Sequence, residues 1–190
     1  MNTIFRPALV LFALLTVLCC ALYPAAVTGI GRAVFPAQVA GSIVLRDGQP
    51  VGSSLIGQAF TSPHYFWGRP SATAGFANNG LASGGANLGP NNPALIDAVK
   101  TRIAALQEAD PGNLQAVPVD LVTASASGLD PEISLAAAFY QLPRIARERH
   151  LPDAAVQVLI ERHSADRFGG FLGEPRVNVL ALNMALDAPR

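Results

Sequence analysis

Residues 7–30 carry no charged side chain, and a chain that holds such a run has few places to put it. At about 1.5 Å per residue a helix of that length reaches roughly 36 Å, enough to cross the hydrocarbon core of a bilayer. The run predicts one N-terminal transmembrane helix, with Pro24 kinking or ending it, a feature that membrane helices tolerate. A cleaved signal peptide is the rival reading, because Arg6 supplies a short basic region and Val27, Thr28 and Gly29 resemble a cleavage site. Signal peptides, however, have apolar cores of only about 7–15 residues. A lipoprotein signal fits less well, since Leu18 precedes Cys19 where processing wants a small residue. Orientation rests on the amino terminus and Arg6 on one side against Arg32 and Arg46 on the other. With so short a leader, the expectation is a cytoplasmic N-terminus and an extracytoplasmic remainder.

That remainder, residues 32–190, has the make-up of one small soluble α+β domain with a long Gly/Asn-rich loop; residues 1–31 are assigned to the membrane helix. An apolar content of 51% against 14% charged residues argues against disorder. Thirteen basic and 13 acidic residues leave no net field to draw in nucleic acid. Cys19 and Cys20 both lie in the apolar run, so neither a disulfide nor a zinc site is expected. The segment SIVLRDGQPVGSSLIGQAF (42–60) predicts two strands around Asp47 and Gly48. Asn92 and Pro93 read as N-cap and first residue of a helix whose apolar face holds Leu95, Ile96, Val99, Ile103 and Leu106. VPVDLVTA (117–124) has the content of a buried strand. Asp130, Pro131 and Glu132 read as another helix start, with Pro143 kinking or dividing that helix. A further helix begins near Pro152, RFGGFLGEPR (167–176) is a glycine-punctuated link, and Val179, Leu182 and Leu186 suit a last helix, although Val177 and Val179 also suit a strand. No internal repeat is visible.

Residues 62–93 hold one charged side chain, Arg69, leaving His64 aside. Loops beyond roughly 12–15 residues without secondary structure are uncommon and mostly functional or disordered. The glycines of Ser83, Gly84, Gly85, Ala86 and Asn87 lack the lysine that a phosphate-binding P-loop requires. LASGG (81–85) echoes the signature loop of ABC transporter ATPases, but the rest of that fold is missing, and glycines that permit turns and close packing are the simpler account. No elbow marks a serine as a nucleophile, and no spacing suits a metal. Tyr65, Phe66 and Trp67 differ in kind. Three successive aromatics cannot all enter one core face of a strand, so at least one is expected to meet a partner or to cover a loop.

Five segments, YFWGRPSA (65–72), SGGANLGPNNP (83–93), VTASASGLDPEIS (122–134), AAFYQLPRIA (137–146) and LGEPRVNVLALN (172–183), together resemble the family of C subunits of the bacterial potassium-transporting Kdp ATPase, KdpC. The resemblance runs through nearly the whole chain, the N-terminal span included. It implies a non-catalytic, accessory inner-membrane subunit beside a channel-like potassium-translocating subunit, a P-type ATPase subunit and a very small membrane peptide. It implies no cofactor of the chain's own. One family proposal is a catalytic chaperone that shares ATP with the ATPase subunit, with Gln141 as the nucleotide contact. The other is an outward-facing domain that stabilises the complex or shapes the potassium entrance, and a translocated domain favours it because cytoplasmic ATP lies across the membrane. Tyr65, Trp67, Arg69, Ser83, Gly84, Gly85 and Asn87 are then candidate partner or loop contacts. From another class, the alternative is a membrane-anchored extracytoplasmic hydrolase using His64, His150 or His163.

Overall fold

A computed structural model describes residues 2–188. It divides the chain into two units, 1–43 and 44–190.

In the first unit, α1 (Asn2–Thr16) runs through a π-helical turn (Val17–Leu22) into α2 (Tyr23–Val34). The continuous apolar stretch is Ile4–Val34, 31 residues with none buried, or roughly 46 Å of helix. Pro24 neither ends nor divides it. Proline has no N–H and its ring meets the carbonyl four residues back. The π turn shifts the register just before that point, with the Tyr23 N–H donating to the Leu18 carbonyl. A short helix, α3 (Pro36–Val39), follows.

The hairpin comes as expected: β1 (Ile43–Arg46) pairs with β2 (Gln49–Ser53). Asp47 and Gly48 have φ of 51° and 76°, as a two-residue turn of this hand demands. Helix α4 (Pro93–Ala109) starts where Asn92 accepts a side-chain bond from the Ala94 N–H. Its face buries Leu106 and half-buries Leu95, Val99 and Ile103, while Ile96 stays exposed.

Residues 117–124 are not a strand. Pro118 leads into a 3₁₀ turn (Val119–Leu121) that buries Leu121 and leaves Val119 exposed. The Val119 carbonyl accepts from the N–H groups of Val122 and Thr123, which spends on a turn the bonds a ladder needs. The helix expected at Asp130 also starts later. Asp130 Oδ1 accepts from the Glu132 N–H, and β3 (Glu132–Ser134) intervenes. The cap of α5 (Leu135–Glu148) is Ser134, whose Oγ accepts from the Ala137 N–H. Pro143 does not divide α5, because it faces solvent while Leu142, Arg144 and Ile145 beside it are buried.

Helix α6 (Asp153–Arg162) leads to β4 (Ser164–Ala165), and β5 (Arg176–Asn178) to α7 (Val179–Leu186). Val177 and Val179 thus serve a strand and a helix in turn. The sheet order is β3-β5-β4, antiparallel, with Ile133 opposite Val177. The β3–α5 and β5–α7 pairs repeat one plan, since Asn178 caps α7 at the Ala181 N–H as Ser134 caps α5. The sequence hides this repeat because the two copies share little beyond strand, cap and helix. The core gathers Ile133, Ala137, Ile145, Val156, Ile160, Val177 and Leu182 with Phe66 and Trp67.

Candidate functional site

The aromatic segment lies inside the second unit although it belongs to no helix or strand. Phe66 is fully buried and Trp67 is 8% exposed. An irregular backbone can be buried only if its polar groups find partners, and here side chains supply them. Within residues 62–68 every carbonyl accepts a side-chain donor. Ser62 takes Trp67 Nε1 at 2.9 Å, and Arg144 Nη1 reaches the carbonyls of Pro63 and Tyr65. Arg149 Nε donates to His64 at 2.7 Å. Asn183 Nδ2 donates to Phe66 and Gln141 Nε2 to Trp67, both at 3.0 Å, and Arg102 Nη2 donates to Gly68 at 3.0 Å.

The two amides work in both directions. Asn183 Oδ1 accepts from the Phe66 N–H and Gln141 Oε1 from the Trp67 N–H, each at 2.8 Å. Two neighbouring residues are therefore gripped at N–H and carbonyl, as a strand is by its neighbour, but by side chains of α7 and α5. Gln141 Oε1 also accepts from Arg144 Nη2 at 2.7 Å, and its Nε2 also donates to the Ala137 carbonyl at 3.2 Å. An amide offers two donor hydrogens and two acceptor lone pairs, so Gln141 is fully engaged within the chain.

Arginines complete the site. The guanidinium carbons of Arg102 and Arg144 stand 5.2 and 4.9 Å from the Trp67 ring centre, and Arg149 stands 4.8 Å from that of Tyr65. Burial pushes Arg144 down to about 10, with Asp110 and Glu148 pulling the other way, so it stays cationic at neutral pH. Burial likewise lowers Arg102. Tyr65 donates its hydroxyl to Asp187 Oδ2 at 2.9 Å, where Arg46 also donates, while Arg149 donates to Oδ1 of the same carboxylate. Burial alone would raise the Asp187 carboxyl, but bonds from Arg149, Tyr65 and Arg46 hold it below its ordinary value.

Of the residues singled out in the sequence, Trp67 lies in the chain's own core, with its indole N–H, backbone N–H and carbonyl all bonded internally. Tyr65 and Arg69 are half-buried. Arg69 pairs with Asp130 at 3.1 Å and reaches the carbonyls of Thr123 and Ala124. Gly84 and Gly85 pack backbone against residues 125–128: the Gly84 N–H donates to the Ser127 carbonyl at 2.8 Å, and a Cβ on Gly85 would sit 3.0 Å from the Ala126 carbonyl oxygen. They lie at no helix N-terminus. Ser83 and Asn87 are exposed. Sequence reasoning missed Arg102, Arg144, Arg149, Asn183 and Asp187. Polar residues on otherwise apolar helix faces, Arg144 in α5 and Asn183 in α7, were the available signal.

His64 and His150 line an open cavity of about 400 Å³ with Glu148, Arg149 and Asp187. Its lining offers no serine, threonine or cysteine for either imidazole to activate. His163 Nδ1 lies 2.9 Å from the Leu159 carbonyl in its own helix. This geometry does not favour a hydrolase.

The family model for KdpC, the c chain of a K+-transporting ATPase, matches residues 5–188. The potassium-transporting ATPase KdpC subunit of Janthinobacterium sp. (strain Marseille) is 66% identical over 98% of this chain and 99% of its own. That of Methylibium petroleiphilum is 63% identical over 100% of both chains, and that of Herminiimonas arsenicoxydans 65% identical over 98% of both. With the single apolar N-terminal helix and the small α+β unit already described, these matches mean that the chain belongs to the KdpC family of K+-transporting ATPase c chains.

Proposed function

We propose that this chain is a non-catalytic accessory subunit of an ATP-driven potassium-import complex, fixed in the inner membrane by Ile4–Val34 with its folded unit on the extracytoplasmic side. There it stabilises the association of a potassium-translocating subunit, a P-type ATPase subunit and a small membrane peptide, and so supports the coupling of ATP hydrolysis to import. The full-length family match carries this reading. The geometry adds support, because the second unit commits the buried side chains of Gln141, Arg144 and Asn183 to holding its own irregular segment. ATP contact through Gln141 would require a buried, fully bonded amide to release Trp67 first. Ser83 and Asn87 are the exposed members of the loop set open to a partner.

Protease added outside spheroplasts tests the placement: it is expected to digest the folded unit while cytoplasmic controls survive, and protection of the unit would reverse the topology. Co-extraction of larger membrane partners with the tagged chain is expected in mild detergent. A chain that extracts alone from cells producing the transporter would refute the accessory role.

A further inference from the structure

Arg102 is half-buried yet meets no carboxylate. Its Nε and Nη2 donate to the carbonyls of Leu121 and Gly68, both at 3.0 Å, and Nη1 has no partner among the described residues. Arg46, Arg69, Arg147 and Arg149 each pair with an aspartate. Burial lowers the Arg102 guanidinium, and no carboxylate opposes it as Asp110 and Glu148 do at Arg144. A partly buried charge without a counter-charge is costly. The same residue lines a cavity of about 140 Å³ within the second unit, together with Thr61, Arg69 and Asn78 and with no acidic side chain. Asp130 neutralises Arg69 at 3.1 Å, so the lining carries one uncompensated positive charge. Donors stand around it. Thr61 brings an exposed hydroxyl, and Asn78 Nδ2 gives only one of its two hydrogens to the Gly128 carbonyl, at 3.3 Å.

We propose that this cavity binds a small inorganic oxyanion, of the class of phosphate and sulfate, held by Arg102 with Thr61 and Asn78. A planar guanidinium with unused N–H groups is the side chain best shaped to pair with such an anion. Size selects the class, since pockets for larger organic ligands run to about 300–1,000 Å³, and this one admits a single anionic group and not a nucleotide. The bound anion supplies the counter-charge to the residue that ties α4 to Gly68 and to the Trp67 ring. The site lies wholly within the second unit, so it stands apart from the proposed accessory role.

Trp67 is the chain's one tryptophan, and the Arg102 guanidinium carbon lies 5.2 Å from its ring centre, which makes indole emission a reporter of the site. The full-length protein in detergent is titrated with inorganic phosphate at fixed ionic strength, balanced with sodium chloride, and a saturable change in emission is expected. Thr61→Asp, which sets a carboxylate at an exposed position of the cavity wall, is expected to weaken binding at least about ten-fold, as is Arg102→Gln. Circular dichroism checks that each variant is folded; should Arg102→Gln not fold, Thr61→Asp decides alone. Arg167→Gln, which removes a surface arginine paired with Glu174, is expected to bind as the native chain does. No saturable response in the native protein would overturn the proposal. So would an equal response in Thr61→Asp, which would mark the general effect of phosphate on protein surfaces. A native chain silent to phosphate, with Thr61→Asp no longer co-extracting membrane partners, would overturn it in favour of a carboxylate supplied by a partner.

Discussion

The uncharged stretch contains two regions that look alike in composition and are held in opposite ways. Residues 62–68 carry Phe66 and Trp67 into the core, and the carbonyls of residues 63–68 are met by side chains from α4, α5, α7 and the residue after α5. Residues 71–87 stay near the surface and largely tie themselves. Ser71 Oγ accepts from the Asn78 N–H at 2.9 Å, Thr73 Oγ1 from the Asn79 N–H at 3.1 Å, and Asn79 Oδ1 from the Leu81 N–H at 3.0 Å. The second region meets the rest of the unit mainly along residues 125–128, where Gly128 with φ 67° leaves room for the Gly84 carbonyl oxygen. Polar composition alone therefore does not separate a surface loop from buried coil. The availability of donors on neighbouring helices does.

The comparison is broken most forcefully at Trp67. Trp67→Ala is expected to destabilise the folded unit by about 3–5 kcal/mol, the range for a large core side chain. Chemical denaturation of the full chain in detergent, following far-ultraviolet circular dichroism, measures it; unchanged stability with impaired assembly would return Trp67 to a partner surface.

A sharper contrast pairs Gln141→Ala with Ser83→Ala. The first strips partners from the Trp67 N–H and carbonyl, at about 1–3 kcal/mol for each group left unpaired. The second touches a surface hydroxyl and is expected to stay within about 0.5 kcal/mol. Equal effects would erase the distinction between the two regions.

The smallest effect is pH-dependent. The Asp187 carboxyl has a folded value below its ordinary one, so its contribution is present above the unfolded value near 3.9 and is lost as pH falls through the folded value. Asp187→Asn is expected to lower stability at neutral pH and to flatten its decline on acidification below about pH 4. A decline as steep as in the native chain would show that Tyr65 is not latched through this carboxylate.

Much of the fold was legible where local chemistry decides. The uncharged run, the Asp47–Gly48 turn, the Asn92–Pro93 cap and the spacing of Val179, Leu182 and Leu186 each carry their own short-range cause. At residues 117–124 and 130–134 the local turn bonds at Val119 and Asp130 act together with a longer-range one. Asp120 accepts from the N–H of Ser134, at 2.7 Å, and joins turn to strand across a separation that short-range periodicity does not read. The candidate site was half legible. Phe66 and Trp67 stood out as a run, but the amides and arginines that receive them are scattered from Arg102 to Asn183, and only the fold brings them together.

That scatter has a consequence for biogenesis. A chain made from its N-terminus delivers the aromatic segment long before Asn183, its partner 117 positions later. The grip on Phe66 cannot close until nearly the last helix has been made, so the nascent unit must carry an unsheltered Tyr-Phe-Trp segment through most of its synthesis. The environment of the single tryptophan then acts as a clock, changing only when synthesis is nearly done.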